Sequence, residues 1–485
     1  MRSVVYLLCL AAAAHAEAVR PHPCDMPGVG GPVECATLPV WENRTLRSGR
    51  RIELNIVILR AESKNHEPDP VFLLDGGPGA AATRLAIAWG RHPLRERRDI
   101  VMVDQRGTGS SHPLNCDFYG HPPDLQRVVT SQFPIEQVRA CRQRLEKVAD
   151  LSQYTTAIAM DDVDEVRQWL GYSRINLWGG SYGSLAAQVY LRRHEVSVRA
   201  VVLEGVLPAD ELGTLHHASA GQRAIDLFFD KCHSELLCRF EYPHLREDFA
   251  AMFARVRKGA DATVHDRSGR SARVRPGVEA LAEGIRHRLY SDTGMAMASM
   301  IHQAAAGDLS PIVQAAVDAQ IDIGNLLAQG MLLSVTCAEH IPYITAEMAA
   351  RETAGTFLGD LRIREQQAAC AEWVRGAVPP DVHTLVRSNV PVLLISGERD
   401  PVTPPSFAER VAHELPHSRH VVFHGAAHGI GGPCDRNLIT GFIEHGSVDR
   451  LDTSCVSRAA TALSTGTLAW APWDRSAEYS GRPYR

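Results

Sequence analysis

The residues of this sequence that could do chemistry come in the order Ser, Asp, His, each set among small or stiff neighbours. Gly179-Gly180-Ser181-Tyr182-Gly183 places a serine inside Gly-x-Ser-x-Gly. A serine hydroxyl becomes a nucleophile when a base removes its proton and an acid orients that base. The motif alone would also describe a tight turn. Its context favours catalysis: the apolar run Ile175 to Trp178 precedes it, and a helical pattern starts near Ser184. The flanking glycines leave room for a strained strand-to-helix turn that lifts the hydroxyl above a sheet. Asp400, in the stiff turn Asp400-Pro401-Val402-Thr403-Pro404, is expected to be the orienting acid, ahead of Glu398. Among 22 histidines, His428 in the glycine-rich Gly425 to Gly429 stretch is expected to be the base, ahead of His424. A developing oxyanion also needs donors. These are expected from the backbone N–H of Tyr182 and from Gly77, in the loop Asp75 to Gly79.

Such residues need a rigid frame. Ile52, Leu54, Ile56 and Ile58 alternate as in a half-buried strand. Apolar runs follow at Val71 to Leu74, Ile100 to Val103, Ile175 to Trp178, Val201 to Leu203, Val392 to Ile395 and Val421 to Phe423. Each of these ends in a glycine-rich or polar cluster. Helical patterns lie between several of them, the clearest running from Thr155/Thr156 as N-cap through Met160, Val163 and Val166 to Gly171. Strands alternating with helices predict an α/β fold with a mostly parallel sheet covered on both faces. Working residues then collect at the carboxyl ends of the strands. Residues 207–388 read as an inserted, mainly helical lid, with one hairpin near Ala262 to Val274. The division expected is a signal peptide at 1–16, core at 17–206, lid at 207–388, core again at 389–458, and an unassigned extension at 459–485.

At 485 residues with a net charge of −5, the chain has ordinary globular composition and no basic field for nucleic acid. Arg2, the apolar stretch Val4 to Ala13 and Ala14-His15-Ala16 resemble a removable export signal. That stretch is too short to span a bilayer, and no later segment is apolar for long enough to do so. Of 11 cysteines, Cys9 leaves with the signal. The remaining ten fall as close couples, Cys24/Cys35, Cys116/Cys141, Cys232/Cys238, Cys337/Cys370 and Cys434/Cys455. Nearest-neighbour pairing is one connectivity among many. No Cys-x-x-Cys and no helical His-x-x-x-His argues for a metal site. No P-loop or dinucleotide fingerprint argues for a cofactor.

Taken together, Gly76-Gly77-Pro78-Gly79, Asp104-Gln105-Arg106-Gly107-Thr108-Gly109-Ser110, Gly179 to Gly183, Asp400 to Pro404 and Gly425 to Gly429 resemble the prolyl and tripeptidyl aminopeptidase family of α/β-hydrolases. The export signal, Cys337 and Cys370-Ala371-Glu372-Trp373 are more similar to the exported tripeptidyl aminopeptidase branch. The resemblance implies a serine peptidase that releases short N-terminal units, with a carboxylate gripping the free amine. Glu339 and Glu204 are the residues expected for that grip. Asp75 stands where the prolyl enzymes carry His, and the lid has few aromatics, so the resemblance does not extend to proline specificity. The same triad would also serve a carboxylesterase or amidase on small substrates. A non-catalytic binding module would have no use for an intact Ser181, Asp400 and His428.

Overall fold

A computed structural model describes residues 18–291 and 294–456. The expected signal segment and C-terminal extension lie outside the described residues. One nine-stranded sheet runs through the molecule: β1 (Val19–Pro23), β2 (Val33–Trp41), β3 (Arg51–Leu59), β4 (Val71–Leu74), β5 (Ile100–Val103), β6 (Ile175–Gly180), β7 (Val198–Glu204), β10 (Val392–Gly397) and β11 (Ser418–Phe423). β8 (Ala262–His265) and β9 (Ser271–Val274) form a separate hairpin. The sheet order is β1-β2-β3-β5-β4-β6-β7-β10-β11. β5, β4, β6, β7, β10 and β11 are parallel, while β1, β2 and β3 add an antiparallel edge.

Alternation along the central strands builds two cores. Leu74, Val103, Leu177, Leu203 and Leu394 face the helices Thr156–Trp169 and Tyr182–His194. Leu73, Met102, Trp178, Val202 and Ile395 face the other way, against Leu438, Ile439 and Phe442 of the helix Pro433–His445. Both faces are therefore dry, which is why these strands read in sequence as unbroken apolar runs.

Between β7 and β10 the chain is helical apart from the β8–β9 hairpin. Helices His217–Ser234, Leu245–Arg257, Val278–Arg288, Gly294–Ala306 and Ser310–Leu326 share a core of their own, including Phe228, Met252, Ile285, Ile301 and Val317. The next helix, Gln329–Glu339, behaves differently. It is buried along its whole length, and Met331, Leu333, Val335 and Cys337 pack into the main core. The insertion is thus anchored through one helix that belongs to the core.

The ten cysteines pair as Cys24–Cys35, Cys116–Cys141, Cys232–Cys238, Cys337–Cys370 and Cys434–Cys455, with Cα separations of 5.1 to 5.7 Å. These separations are ordinary for disulfides. Among the described residues, no single helix is long and apolar enough to cross a membrane.

Candidate active site

Ser181 sits between β6 and the helix Tyr182–His194 with φ 55° and ψ −126°, a left-handed backbone that a non-glycine residue adopts only under constraint. The constraint is close packing behind the turn. A Cβ at Gly183 would stand 2.0 Å from the Leu74 carbonyl oxygen, so this position admits only glycine. From the front, the Ser181 N–H donates to the Glu204 carbonyl of β7 at 2.9 Å. The serine is held at the carboxyl edge of the sheet from both sides.

Asp400 and His428, the expected acid and base, follow the next two strands, β10 and β11. Asp400 follows β10 and is fully buried. Its Oδ1 accepts the N–H groups of Val402 and Thr403, each at 2.8 Å, and its Oδ2 accepts the Thr403 hydroxyl at 2.7 Å. The same Oδ2 lies 2.7 Å from His428 Nδ1. That bond orients the ring and leaves Nε2 without a role in holding Asp400. His428 follows β11, and its Cε1 lies against Gly205, the residue after the one that holds Ser181. The competing pair, His424 and Glu398, is solvent-exposed and pairs with itself at 3.3 Å.

Tyr182 supplies the first N–H of its helix, one of the donors a helix leaves unpaired at its start. Gly77, with φ +116°, lines the same cavity as Ser181 and Tyr182. The Gly76–Gly79 turn is pinned to the anchoring helix's leading edge, where the Ala328 N–H donates to the Gly79 carbonyl at 3.0 Å. Asp75 is occupied below this turn, accepting the Gly76 N–H at 2.7 Å and pairing with Arg84. The Asp104 to Ser110 stretch is a brace. Asp104 gathers Asn55, Thr83 and Ser110, while the buried Arg106 grips Asp162 and the Glu42 and Gln153 carbonyls.

A cavity of about 480 Å³ lies above Ser181, roofed by the helical insertion. Its size is that of a small-ligand site. Neither expected amine-binding carboxylate opens into it. Glu204 turns to the opposite side of the sheet, where its Oε2 accepts the Trp178 indole N–H at 3.2 Å. Burial, and then the neighbouring Asp435, push its carboxyl well above the ordinary range. Glu339 lies beneath Tyr182, its two oxygens accepting the Thr156 N–H at 2.6 Å and the Thr156 hydroxyl at 2.7 Å. Burial pushes its carboxyl up to about 7, against those two hydrogen bonds. Thr155 takes the N-cap position of the helix Thr156–Trp169, as expected of Thr155/Thr156, but its hydroxyl has no partner among the described residues, and Glu339 instead accepts the first helical N–H, that of Thr156.

Two residues that were not singled out in the sequence belong to the site. Thr403 braces Asp400, and its hydroxyl lies 3.1 Å from His428 Nδ1. Tyr290, just after the lid helix Val278–Arg288, stands edge-on to the His428 ring at 4.8 Å. Its carbonyl accepts the Gly429 N–H at 3.2 Å. The Asp-x-x-Thr spacing was readable as a turn; nothing local marked Tyr290. Among the described residues, no group of three or more His, Cys, Asp or Glu side chains is arranged to hold a metal ion.

Comparison with known proteins agrees with this architecture. Residues 69–262 match the model of the alpha/beta hydrolase fold, and residues 355–455 match that of TAP-like proteins. The tripeptidyl aminopeptidase of Streptomyces lividans is 24% identical over 470 residues, covering 88% of this chain and 84% of that protein. The serine protease Hip1 of Mycobacterium bovis is 24% identical over 450 residues, covering 82% and 83%. The hydrolase YuaR of Escherichia coli (strain K12) is 27% identical, over only 37% of each chain. With the sheet order and both family models pointing the same way, this chain has the α/β-hydrolase fold with a TAP-like region and is a serine hydrolase similar to the tripeptidyl aminopeptidases.

Proposed function

We propose that the protein is an exported serine peptidase that releases short units from the N-terminus of peptides. The observation that carries this reading is a roofed cavity of about 480 Å³ with Ser181 in its wall, a size suited to a short end of a peptide. Similarity to a tripeptidyl aminopeptidase along most of both chains supports the peptide as substrate. Five disulfides suit an oxidising compartment.

In this reading His428 Nε2 takes the Ser181 proton as Oγ attacks the scissile carbonyl. The Tyr182 and Gly77 N–H groups receive the negative charge that develops on the carbonyl oxygen. His428 then passes the proton to the leaving amine, and the acyl-enzyme is hydrolysed by the same steps with water as nucleophile. Asp400, held by three donors besides His428, stabilises the imidazolium without itself changing protonation. With Glu204 and Glu339 both turned away, the amine grip falls to Asp117. It lines the cavity, and its Oδ1 is engaged by Tyr119 and Gly120 N–H groups. Asp266, the other carboxylate on the wall, is committed to Ser268 and Arg270.

A second reading, a carboxylesterase or amidase on small substrates, draws support from that same turning away. The two are separated by kcat/KM for chromogenic mono-, di- and tripeptide amides with free and acetylated N-termini, run beside short acyl esters. A peptidase of this kind prefers the free amine at least tenfold. Esters turned over without regard to any amine would overturn it.

A further inference from the structure

The roof of the cavity carries two guanidinium groups that share one carboxylate at contact distance. Arg286, on the lid helix Val278–Arg288, forks onto Glu283 at 2.7 and 2.9 Å. Arg362, from the helix Leu361–Ala371, lines the same cavity, with its nearest Glu283 contact at 3.6 Å. Its Nε and Nη1 donate to the neutral carboxamides of Gln366 and Gln132, its guanidinium lies 5.1 Å over the Phe133 ring, and Nη2 makes no hydrogen bond among the described residues. Glu365, the other nearby acid, accepts the Gln132 N–H at 2.9 Å and attracts Arg362 only beyond ion-pair distance. Within 4 Å, the two guanidinium groups thus share one carboxylate, Glu283.

The two imidazoles between them add no negative charge and little acceptor capacity. Burial, and then Arg286, push His287 down to about 3, so the ring is neutral. Arg286 Nη2 donates to His287 Nε2 at 2.9 Å, which assigns the ring proton to Nδ1. His217 is likewise held below its usual range by burial and then by both arginines, and its buried Nδ1 has no hydrogen-bond partner among the described residues. The arginines differ in a telling direction. Burial opposes Arg286, yet Glu283 raises it above its usual value, whereas burial lowers Arg362 despite Glu283. Arg362 is the under-compensated cation.

We propose that this wall, centred on Arg362 with Arg286 and His217, is a subsite for a carboxylate carried by the substrate. A carboxylate presents two acceptors in one plane, which is the partner a guanidinium fork takes best. An ammonium or an apolar group placed there would leave Arg362 desolvated and unpaired, which is costly. The subsite touches the reaction centre through one residue. Arg286 Nη1 donates to the Tyr290 hydroxyl at 3.2 Å, and the Tyr290 ring abuts His428. The inference deepens the reading of Ser181 as nucleophile and rests on it.

The test compares matched substrates differing only in one carboxylate. Glu- and Gln-p-nitroanilides probe the released unit, and tripeptides with a free or amidated C-terminus probe the leaving group. The charged member of at least one pair is expected to be favoured about tenfold to a hundredfold in kcat/KM. Arg362→Gln is expected to abolish that preference by lowering kcat/KM of the charged member towards that of the neutral one. Its glutamine partners remain satisfied by a carboxamide, so folding is expected to persist, checked by circular dichroism. An independent arm measures covalent labelling of Ser181 by a fluorophosphonate in the presence of glutarate or glutaramide. Selective protection by glutarate, lost in Arg362→Gln, supports the subsite even if no peptide is cleaved, and the peptidase reading alone then fails. Equal turnover within both pairs together with equal protection by the two additives overturns the subsite.

Discussion

His428 and His424 stand only four positions apart in one glycine-rich loop, yet their surroundings assign them opposite expectations. The His428 side chain is mostly buried, with Nδ1 on a fully buried carboxylate at 2.7 Å, whereas His424 is exposed and meets only Glu398. We therefore predict that Ser181→Ala and His428→Ala each lower kcat by about 10⁵ to 10⁶, since triad members act as a unit. His424→Ala should stay within about threefold of wild type. Single-turnover kinetics on any ester or amide the enzyme accepts will check this, with folding verified by thermal melting. Residual activity within tenfold of wild type for Ser181→Ala would place the nucleophile elsewhere. Asp400→Asn should cost about 10⁴ in kcat through loss of the correct tautomer, a magnitude taken from serine protease triads.

At the scale of elements, the turn that presents Ser181 depends on backbone approaching backbone. Gly183→Ala would drive a methyl group into the Leu74 carbonyl, and neither strand nor helix can retreat without opening the core. We predict little or no soluble folded protein from that substitution. Gly441→Ala is the matched control: it lies within the helix Pro433–His445 with nothing within 4 Å of the added carbon. Helix propensity should make that change stabilising by about 0.5–1 kcal/mol, read from urea melts. The strands after which Ser181, Asp400 and His428 fall were legible because buried parallel strands are continuous apolar runs punctuated by glycine and polar residues. β1 and β2 were not, because a Cys- and Pro-bearing edge hairpin lacks that contrast. Glu204 shows another limit of a linear reading. Its position at a strand end was visible, but the face its side chain takes is set by Trp178 on the neighbouring strand. The cationic roof was invisible for a similar reason. Glu283 and Arg286 at i,i+3 read as a surface ion pair, and only packing of three separate helices of the insertion brings His217 and Arg362 to them.

At the scale of the whole molecule, lid and core meet at Glu339. This carboxyl caps a core helix from the end of the anchoring helix, next to Cys337, whose disulfide to Cys370 ties that helix to the one carrying Arg362. Its ionisation makes the joint sensitive to pH. In the unfolded chain Glu339 titrates near 4.5, and in the folded protein burial raises it to about 7. Between those values the folded state binds more protons than the unfolded state, so stability falls as pH rises through the window. The contribution is fully present below about 4.5 and lost above about 7, amounting to about 3 kcal/mol at most. Glu339→Gln keeps an acceptor for the Thr156 N–H and offers an amide donor to the Thr156 hydroxyl, while removing the proton equilibrium. The variant is therefore predicted to match wild type or fall slightly below it at pH 5, and to exceed it at pH 8. Urea unfolding of both proteins at the two pH values measures the difference directly. A gap between variant and wild type that does not change with pH would mean that Glu339 is ionised in the folded protein, and that the lid–core joint holds a charge.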